Sequence, residues 1–392
     1  MTRTLNPRVQ GLAQSAIRAM TTECLKVGGI NLSQGICDTP VPDAVAAAVA
    51  PAVAAGRNTY SRCEGTDELR RALAASMAAS GLAYDPDHEV VVTAGATGAF
   101  QIAAQALLVP GDEVVVFEPF YGYHVSTLQT LGIAARFVPL ALPKAGSAGA
   151  WAIDEDALLA ALGPRTRAIL VNTPSNPCGK VFTREELVRL GELACERDLW
   201  ILTDEVYEHF LYDGHEHVRP AALPGLRDRV VTMSSLSKTL SITGWRLGWM
   251  AAPERWAHAF AQLNDLIYIC PPTPLQVAAA TGMAALDQGY TARLAAEHQS
   301  KRDRLGEALQ AAGLPPYLPE GAYYILADAS RLPGRSGMER AMHLLERTGL
   351  AAVPGDAFFS GGRGHDLLRF CFGKTDADLD EACRRLRGFG DA

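Results

Sequence analysis

The sequence has no long apolar run, no surplus of positive charge and no paired-cysteine motif, and each lack excludes something. Its longest apolar stretch, AVAAAVAPAVAA (44–55), has 12 residues, is mostly alanine and is broken by Pro51, too short to span a bilayer. The chain carries 36 Lys and Arg against 43 Asp and Glu, a formal net charge of −7. With no basic excess to neutralise phosphates, nucleic acid is not expected as the main partner. The opening MTRTLNPRVQ has no apolar core, so no signal peptide is expected. The eight cysteines, at 24, 37, 63, 178, 195, 270, 371 and 383, are scattered and form no CxxC. That pattern reads as reduced thiols in a cytoplasmic protein, not as a disulfide frame, and gives no zinc or other metal site. Repeats and low-complexity linkers are lacking too; the most glycine-rich stretch, FFSGGRGH (358–365), is a short loop near the end.

What remains is a chain of 392 residues, 48% apolar and 20% charged, enough for a large core and two to three domains. Short runs recur through its middle: VVVT (90–93), VVVFEP (114–119), AILVNTP (168–174), LWILTDE (199–205) and VVTMSS (230–235). Each is apolar nearly throughout, as a strand buried on both faces should be. Helical patterns lie between them. TREELVRLGELACERD (183–198) begins with Thr183 and has Glu186 three residues on, a capping box. Alternating strand and helix predicts a mostly parallel α/β sheet sandwiched by helices, spanning 46–285. Past 285 the pattern changes to a long charged helix (291–313), LPEGAYYILADAS (318–330), a helix near 338–348 and LLRFCFGK (367–374). This predicts a smaller α+β domain of 286–392, joined by residues 1–45.

Several of the strands end in small or polar residues: Gly95-Ala96-Thr97, Asn172, Asp204-Glu205 and Ser234-Ser235. Ligands of open α/β sheets sit at the carboxyl ends of strands. Taken singly these residues read equally well as loops and caps; together they mark a candidate site. The richest segment is SSLSKTLSITGWRLGW (234–249), where Lys238, one of only six lysines, stands among small hydroxyls with Arg246 eight residues on. A lysine amine is mostly protonated near neutral pH and needs a special setting to act as a nucleophile. Hydroxyls and an arginine suit a phosphate. A cofactor that is both aldehyde and phosphate ester, pyridoxal 5'-phosphate, explains both halves. Ser-x-x-Lys alone is also compatible with a surface loop.

The segment resembles the cofactor-lysine region of class I aminotransferases, the fold-type I family of pyridoxal phosphate enzymes. VVTAGATGAF (91–100), VVVFEPFYGY (114–123), NTPSNPCGK (172–180), TDEVY (203–207) and LLRFCFGK (367–374) resemble further family blocks, in family order. The resemblance runs from INLSQGICDTPVP (30–42) to near the end, and lies nearest the branch of kynurenine, glutamine and methionine aminotransferases and cysteine-conjugate β-lyases.

The resemblance implies roles. Lys238 would hold the cofactor as a Schiff base and move the proton at the substrate Cα. Asp204 would pair with the pyridine nitrogen and keep the ring an electron sink. Tyr207 and Asn176 would hydrogen-bond the phenolic oxygen from two sides. The phosphate would lie against Ala96 and Thr97 at a helix start, with Ser235 and Arg246 completing the cradle. GATG lacks the G-x-G-x-x-G spacing of a dinucleotide loop. Tyr121 would stack on the ring, while core packing is the reading for Phe120 and Tyr123. Tyr60 would reach the phosphate of a neighbouring subunit, implying a homodimer with shared sites. Arg369 would bind the substrate α-carboxylate and Gly35 would let the substrate approach. Cys37 stands where the family often has proline.

The reaction implied is transfer of an amino group between an amino acid and a 2-oxo acid. A lyase or cyclising enzyme would use the same residues, so that alternative stays open. A ligand sensor would need a DNA-binding module, and no basic helix-turn-helix pattern is present. Dicarboxylate-specific members use a second arginine before a Pro-rich turn. Here that segment, LNDLIYICPPTPLQ (263–276), has no Arg or Lys, and its one charge is Asp265. Tyr268 and Ile269 point instead to neutral or aromatic side chains, unless a cation such as Arg18 or Arg62 comes from elsewhere.

Overall fold

The computed structural model describes residues 4–10, 12, 14–143 and 150–390. The outermost ends of the expected small domain, at 1–3 and 391–392, lie outside the described residues. The chain enters through a helix over Ala16–Lys26 and a short strand, β1 (Ile30–Asn31). Eight strands then build one sheet: β2 (Val90–Ala94), β3 (Glu113–Glu118), β4 (Ala134–Ala141), β5 (Ala152–Ile153), β6 (Thr166–Asn172), β7 (Trp200–Asp204), β8 (Val230–Ser235) and β9 (Leu247–Ala251). Their spatial order is β2-β9-β8-β7-β6-β3-β4-β5. The inner strands β3, β6, β7 and β8 run parallel, whereas β9 is antiparallel to both β2 and β8. Strands of Val, Ile and Leu buried along their whole length, as β3 and β8 are, require cover on both faces. Helices over Gly95–Leu107 and Arg184–Glu196 belong to that cover. The second carries the expected capping box: Thr183 Oγ1 accepts from Glu186 N, and Glu186 reaches back to Thr183 N.

The remaining strands are β10 (Pro316–Tyr317), β11 (Tyr324–Asp328), β12 (Leu350–Ala351), β13 (Val353–Pro354) and β14 (Leu367–Cys371). β10, β11, β14 and β13 form an antiparallel sheet, packed by the helices Tyr290–Ala311, Gly337–Thr348 and Asp376–Gly390. β1 pairs parallel with β12, Ile30 opposite Leu350, and so attaches the N-terminal segment to the last third of the chain.

The register places the site. Ala94 at the end of β2 lies opposite Leu247, and Ser235 at the end of β8 lies opposite Gly248. Because β9 runs against its two neighbours, its first residues meet their last ones. Arg246, one residue before β9, therefore stands beside Gly95 and Ser235.

Candidate active site

The carboxyl ends of β6, β7 and β8 open into a cavity of about 610 Å³. Every residue to which the resemblance gave a cofactor or substrate role lines it except Tyr60, whose side chain stands 78% exposed elsewhere on the surface.

One end of the cavity is built mainly from backbone. The helix Gly95–Leu107 starts at Ala94 with no side-chain cap, so its first N–H groups are left for a ligand. Two missing side chains shape this end. A Cβ on Gly248 would lie 2.2 Å from the Gly95 carbonyl carbon, and one on Gly95 would lie 2.3 Å from Arg246 Nη2. Arg246 itself has φ +57°, uncommon for a side chain of its size. Its guanidinium donates to Thr243 O at 2.9 Å and to Ala94 O at 3.2 Å, which holds it over the helix start. Ser235 Oγ accepts from Ser237 N at 3.0 Å and lies 2.7 Å from Ser237 Oγ. An uncapped helix terminus, an arginine and two serines fit a phosphate.

In the middle stands Lys238. Its Nζ donates to Gly35 O at 3.0 Å and lies about 6 Å from the rings of Tyr207 and Tyr323. Burial lowers its pKa from the ordinary lysine value to about 8, with the charge of Arg246 acting in the same direction. Asp204, 7% exposed, ends β7 in the same cavity. His124 Nε2 lies 3.0 Å from its Oδ2. A carboxylate can only accept, so Nε2 carries a proton. The amine, the carboxylate and the phosphate cradle share one cavity, which is what pyridoxal phosphate requires of a protein.

The other end is assembled from distant segments. Arg369 in β14 is fully buried; it donates through Nη1 to Asn176 Oδ1 at 2.8 Å and through Nη2 to Ser33 O at 2.6 Å. Its guanidinium packs 4.2 Å from the Tyr324 ring centre and 4.9 Å from that of Phe358. Among the described residues its Nε has no hydrogen-bond partner. Gly35 leaves room of a definite kind: a Cβ there would fall 1.8 Å from Tyr324 Oη. Tyr207 Oη is 2.8 Å from Tyr324 Oη, and burial raises the pKa of Tyr207 well above the usual phenol value.

Three expectations need correction or addition. Tyr123, read as core, instead lines the cavity, stacked 5.2 Å from Tyr121; Phe120 does pack inward, against Phe137. Of the two pocket residues read from 263–276, Tyr268 lines the cavity and Ile269 does not. Of the two candidate cations, Arg18 lines the cavity, while Arg62 is engaged with Glu64 at 3.1 Å. His124 and Tyr324 were not found from the sequence. Their partners, Asp204 and Tyr207, are 80 and 117 residues away, and no local pattern marks them.

Residues 27–386 match the family Aminotransferase class I and II. The chain is 35% identical over 389 residues to a probable N-succinyldiaminopimelate aminotransferase of Mycobacterium tuberculosis, covering 97% of each chain. It is 34% identical to kynurenine–oxoglutarate transaminase 3 of Rattus norvegicus, over 96% of this chain and 88% of that one. The solved structure of N-succinyldiaminopimelate aminotransferase from Mycobacterium tuberculosis superposes with a TM-score of 0.93, at 34% identity, over 99% of this chain and 100% of the other.

Proposed function

The chain belongs to the class I and II aminotransferases, pyridoxal-phosphate-dependent enzymes that move an amino group between an amino acid and a 2-oxo acid, and on that premise we propose which residues carry the reaction and what it acts on. The observation that carries the assignment is the convergence of Lys238, Asp204 and Arg369 on one cavity. When bound, pyridoxal phosphate supplies a sink for the electron pair left at the substrate Cα. Lys238 would anchor the cofactor and, once freed by substrate, would carry the proton between the substrate Cα and the cofactor's aldehyde carbon, two bonds away across the shared nitrogen. Asp204 keeps a proton on the ring nitrogen, and His124 holds the carboxylate from behind. Ala96, Thr97, Ser235 and Arg246 bind the phosphate, Tyr121 covers the ring, and Tyr207 with Asn176 fixes the phenolic oxygen. Arg369 takes the α-carboxylate in the plane set by Asn176 and Ser33, and Gly35 admits the substrate backbone.

For the amino donor, Tyr123 and Tyr268 on the wall support a neutral or aromatic side chain. One observation favours a second reading. Once the cofactor and α-carboxylate are assigned, Arg18 is the remaining lysine or arginine that lines the cavity among the described residues, and it would suit a donor with a distal acid group. Measuring kcat/KM for glutamine, methionine, phenylalanine, kynurenine, aspartate and N-succinyldiaminopimelate decides. The first reading expects the neutral and aromatic donors to lead by tenfold or more. A lead by either acidic donor that Arg18→Gln removes establishes the second. Ammonia release without an acceptor would mark elimination instead.

A homodimer completes the reading. Thr273 Oγ1 donates to Thr59 O at 2.7 Å, which sets Tyr60 at the corner that also exposes Leu266, Ile267 and Ile269. An exposed tyrosine beside exposed apolar residues suits a subunit contact. Mixed dimers of inactive Lys238→Ala and Tyr60→Phe subunits should recover activity, since one hybrid site has both residues intact; hybrids without recovery would place Tyr60 outside catalysis. The division into 46–285 and 1–45 with 286–392 draws support from the β1–β12 pairing. A cytoplasmic setting is supported by the free state of all eight cysteines. No helix among the described residues is long and apolar enough to cross a membrane.

A further inference from the structure

Cys37 lies two residues beyond Gly35, on the segment whose carbonyl accepts from Lys238, and the amino-transfer reading gives it no task. It is 7% exposed. Its sulfur is 3.5 Å from Nε2 of His298, a fully buried residue of the helix Tyr290–Ala311. His298 Nδ1 is 2.9 Å from Leu294 O. A carbonyl can only accept, so Nδ1 carries a proton, and in the uncharged form of the ring that leaves Nε2 as an acceptor aimed at the thiol. The Phe210 ring packs against the imidazole nearly at right angles, with ring centres 4.9 Å apart. A second donor lies two residues on in the same segment: Thr39 Oγ1 is 3.0 Å from the sulfur, and Ser241 Oγ, from the lysine segment, is 2.7 Å from Thr39 Oγ1. When Ser241 donates to Thr39, the Thr39 hydroxyl proton is directed at the sulfur. Burial raises the pKa of the Cys37 thiol, but the hydrogen bond to His298 and the positive charge that ring carries once it has taken the thiol proton, with Thr39, outweigh it and bring it down to about 7.

We propose that Cys37 and His298 form an activated thiol pair whose sulfur takes an oxygen atom from small hydroperoxides, and that the resulting sulfenic acid slows amino-group transfer until a thiol reductant removes it. The proton of the thiol passes to His298 Nε2. The thiolate attacks the hydroxyl oxygen of the hydroperoxide; an S–O bond forms and the O–O bond breaks. The alkoxide or hydroxide that leaves takes the proton from Nε2 and departs as alcohol or water. The sulfur is oxidised by two electrons and the peroxide reduced by two. The added oxygen needs room beside a sulfur already in contact with His298 and Thr39. The segment 35–39 must shift, and it carries both the Gly35 carbonyl that holds Lys238 and the link to Ser241, whose N–H bonds Lys238 O at 3.3 Å.

The holoenzyme at pH 7 is treated with hydrogen peroxide, quenched into denaturant with dimedone, and mapped by mass spectrometry. Cys37 should be labelled at least tenfold faster than the exposed Cys195, and His298→Gln should slow Cys37 at least tenfold while leaving Cys195 unchanged. Equal rates at the two cysteines in the wild type overturn the proposal, and that comparison stands even where His298→Gln does not fold. Equal labelling of Cys37 with and without His298 overturns it as well. Activity should fall in step with Cys37 oxidation and return with dithiothreitol, and Cys37→Ser enzyme should keep its activity through the same treatment. Full activity at complete Cys37 oxidation removes the link to catalysis, while the labelling result is independent of what the enzyme transaminates.

Discussion

The two ends of the cavity are built by different means. The phosphate end comes from adjacent strand ends: Ala94, Ser235 and Gly248 are fixed in register by β2, β8 and β9, and its donors include the first backbone N–H groups of the helix Gly95–Leu107. The substrate end joins Ser33, Asn176, Tyr324 and Arg369, from four separated parts of the chain, around one buried guanidinium. A charge shared over a helix terminus, two serines and an arginine tolerates the loss of one donor. A buried arginine that is the sole cation for a carboxylate does not, because truncation leaves its partners unpaired in a dry site. Binding at one end is therefore distributed, and at the other it is concentrated.

Substitutions can break that contrast. Arg369→Gln should lower kcat/KM for every amino acid by roughly a thousandfold, about 4 kcal/mol, within the range for removing one partner of a buried charged pair. Arg369→Lys should recover little of this, since an ammonium lacks the planar fork that now bonds Asn176 and Ser33. Gly35→Ala comes next: its methyl would displace Tyr324, and about a hundredfold loss in kcat/KM is expected if overpacking costs roughly 3 kcal/mol there. Arg246→Gln should weaken cofactor binding by only about tenfold, near 1.4 kcal/mol, with kcat at saturating cofactor close to wild type. Equal losses from Arg246→Gln and Arg369→Gln, measured by cofactor titration and steady-state kinetics, would erase the distinction.

The same contrast decided what could be read from the sequence. Lys238, Ser235 and Arg246 lie within twelve residues of one another, so the phosphate end reads as a motif. The inner strands also read plainly, because burial on both faces leaves continuous Val, Ile and Leu. β4 did not, since near the sheet edge its burial alternates and it contains Arg136 and Pro139. β9 was hidden inside the lysine segment, where two Trp and two Gly interrupt the aliphatic run. His124 and Tyr324 gain meaning only when folding sets them against Asp204 and Tyr207. Tyr123 looked like core because an aromatic beside two others carries no sign of which one faces a cavity.

A smaller effect sharpens the account at the centre. In the cofactor-free protein the neutral amine of Lys238 is the form that captures the aldehyde. Burial brings its pKa to about 8, so the neutral fraction, and with it the uptake rate, should rise about tenfold per pH unit below 8 and level off above it. Stopped-flow uptake that still climbs through pH 10 would mean an ordinary lysine.

The most direct test of the whole assignment is borohydride reduction of the cofactor-loaded enzyme followed by peptide mapping. The account predicts one pyridoxyl group per chain, on Lys238, and none in Lys238→Ala. Label on Lys180, Lys374 or another lysine, or an unlabelled wild type, would contradict it.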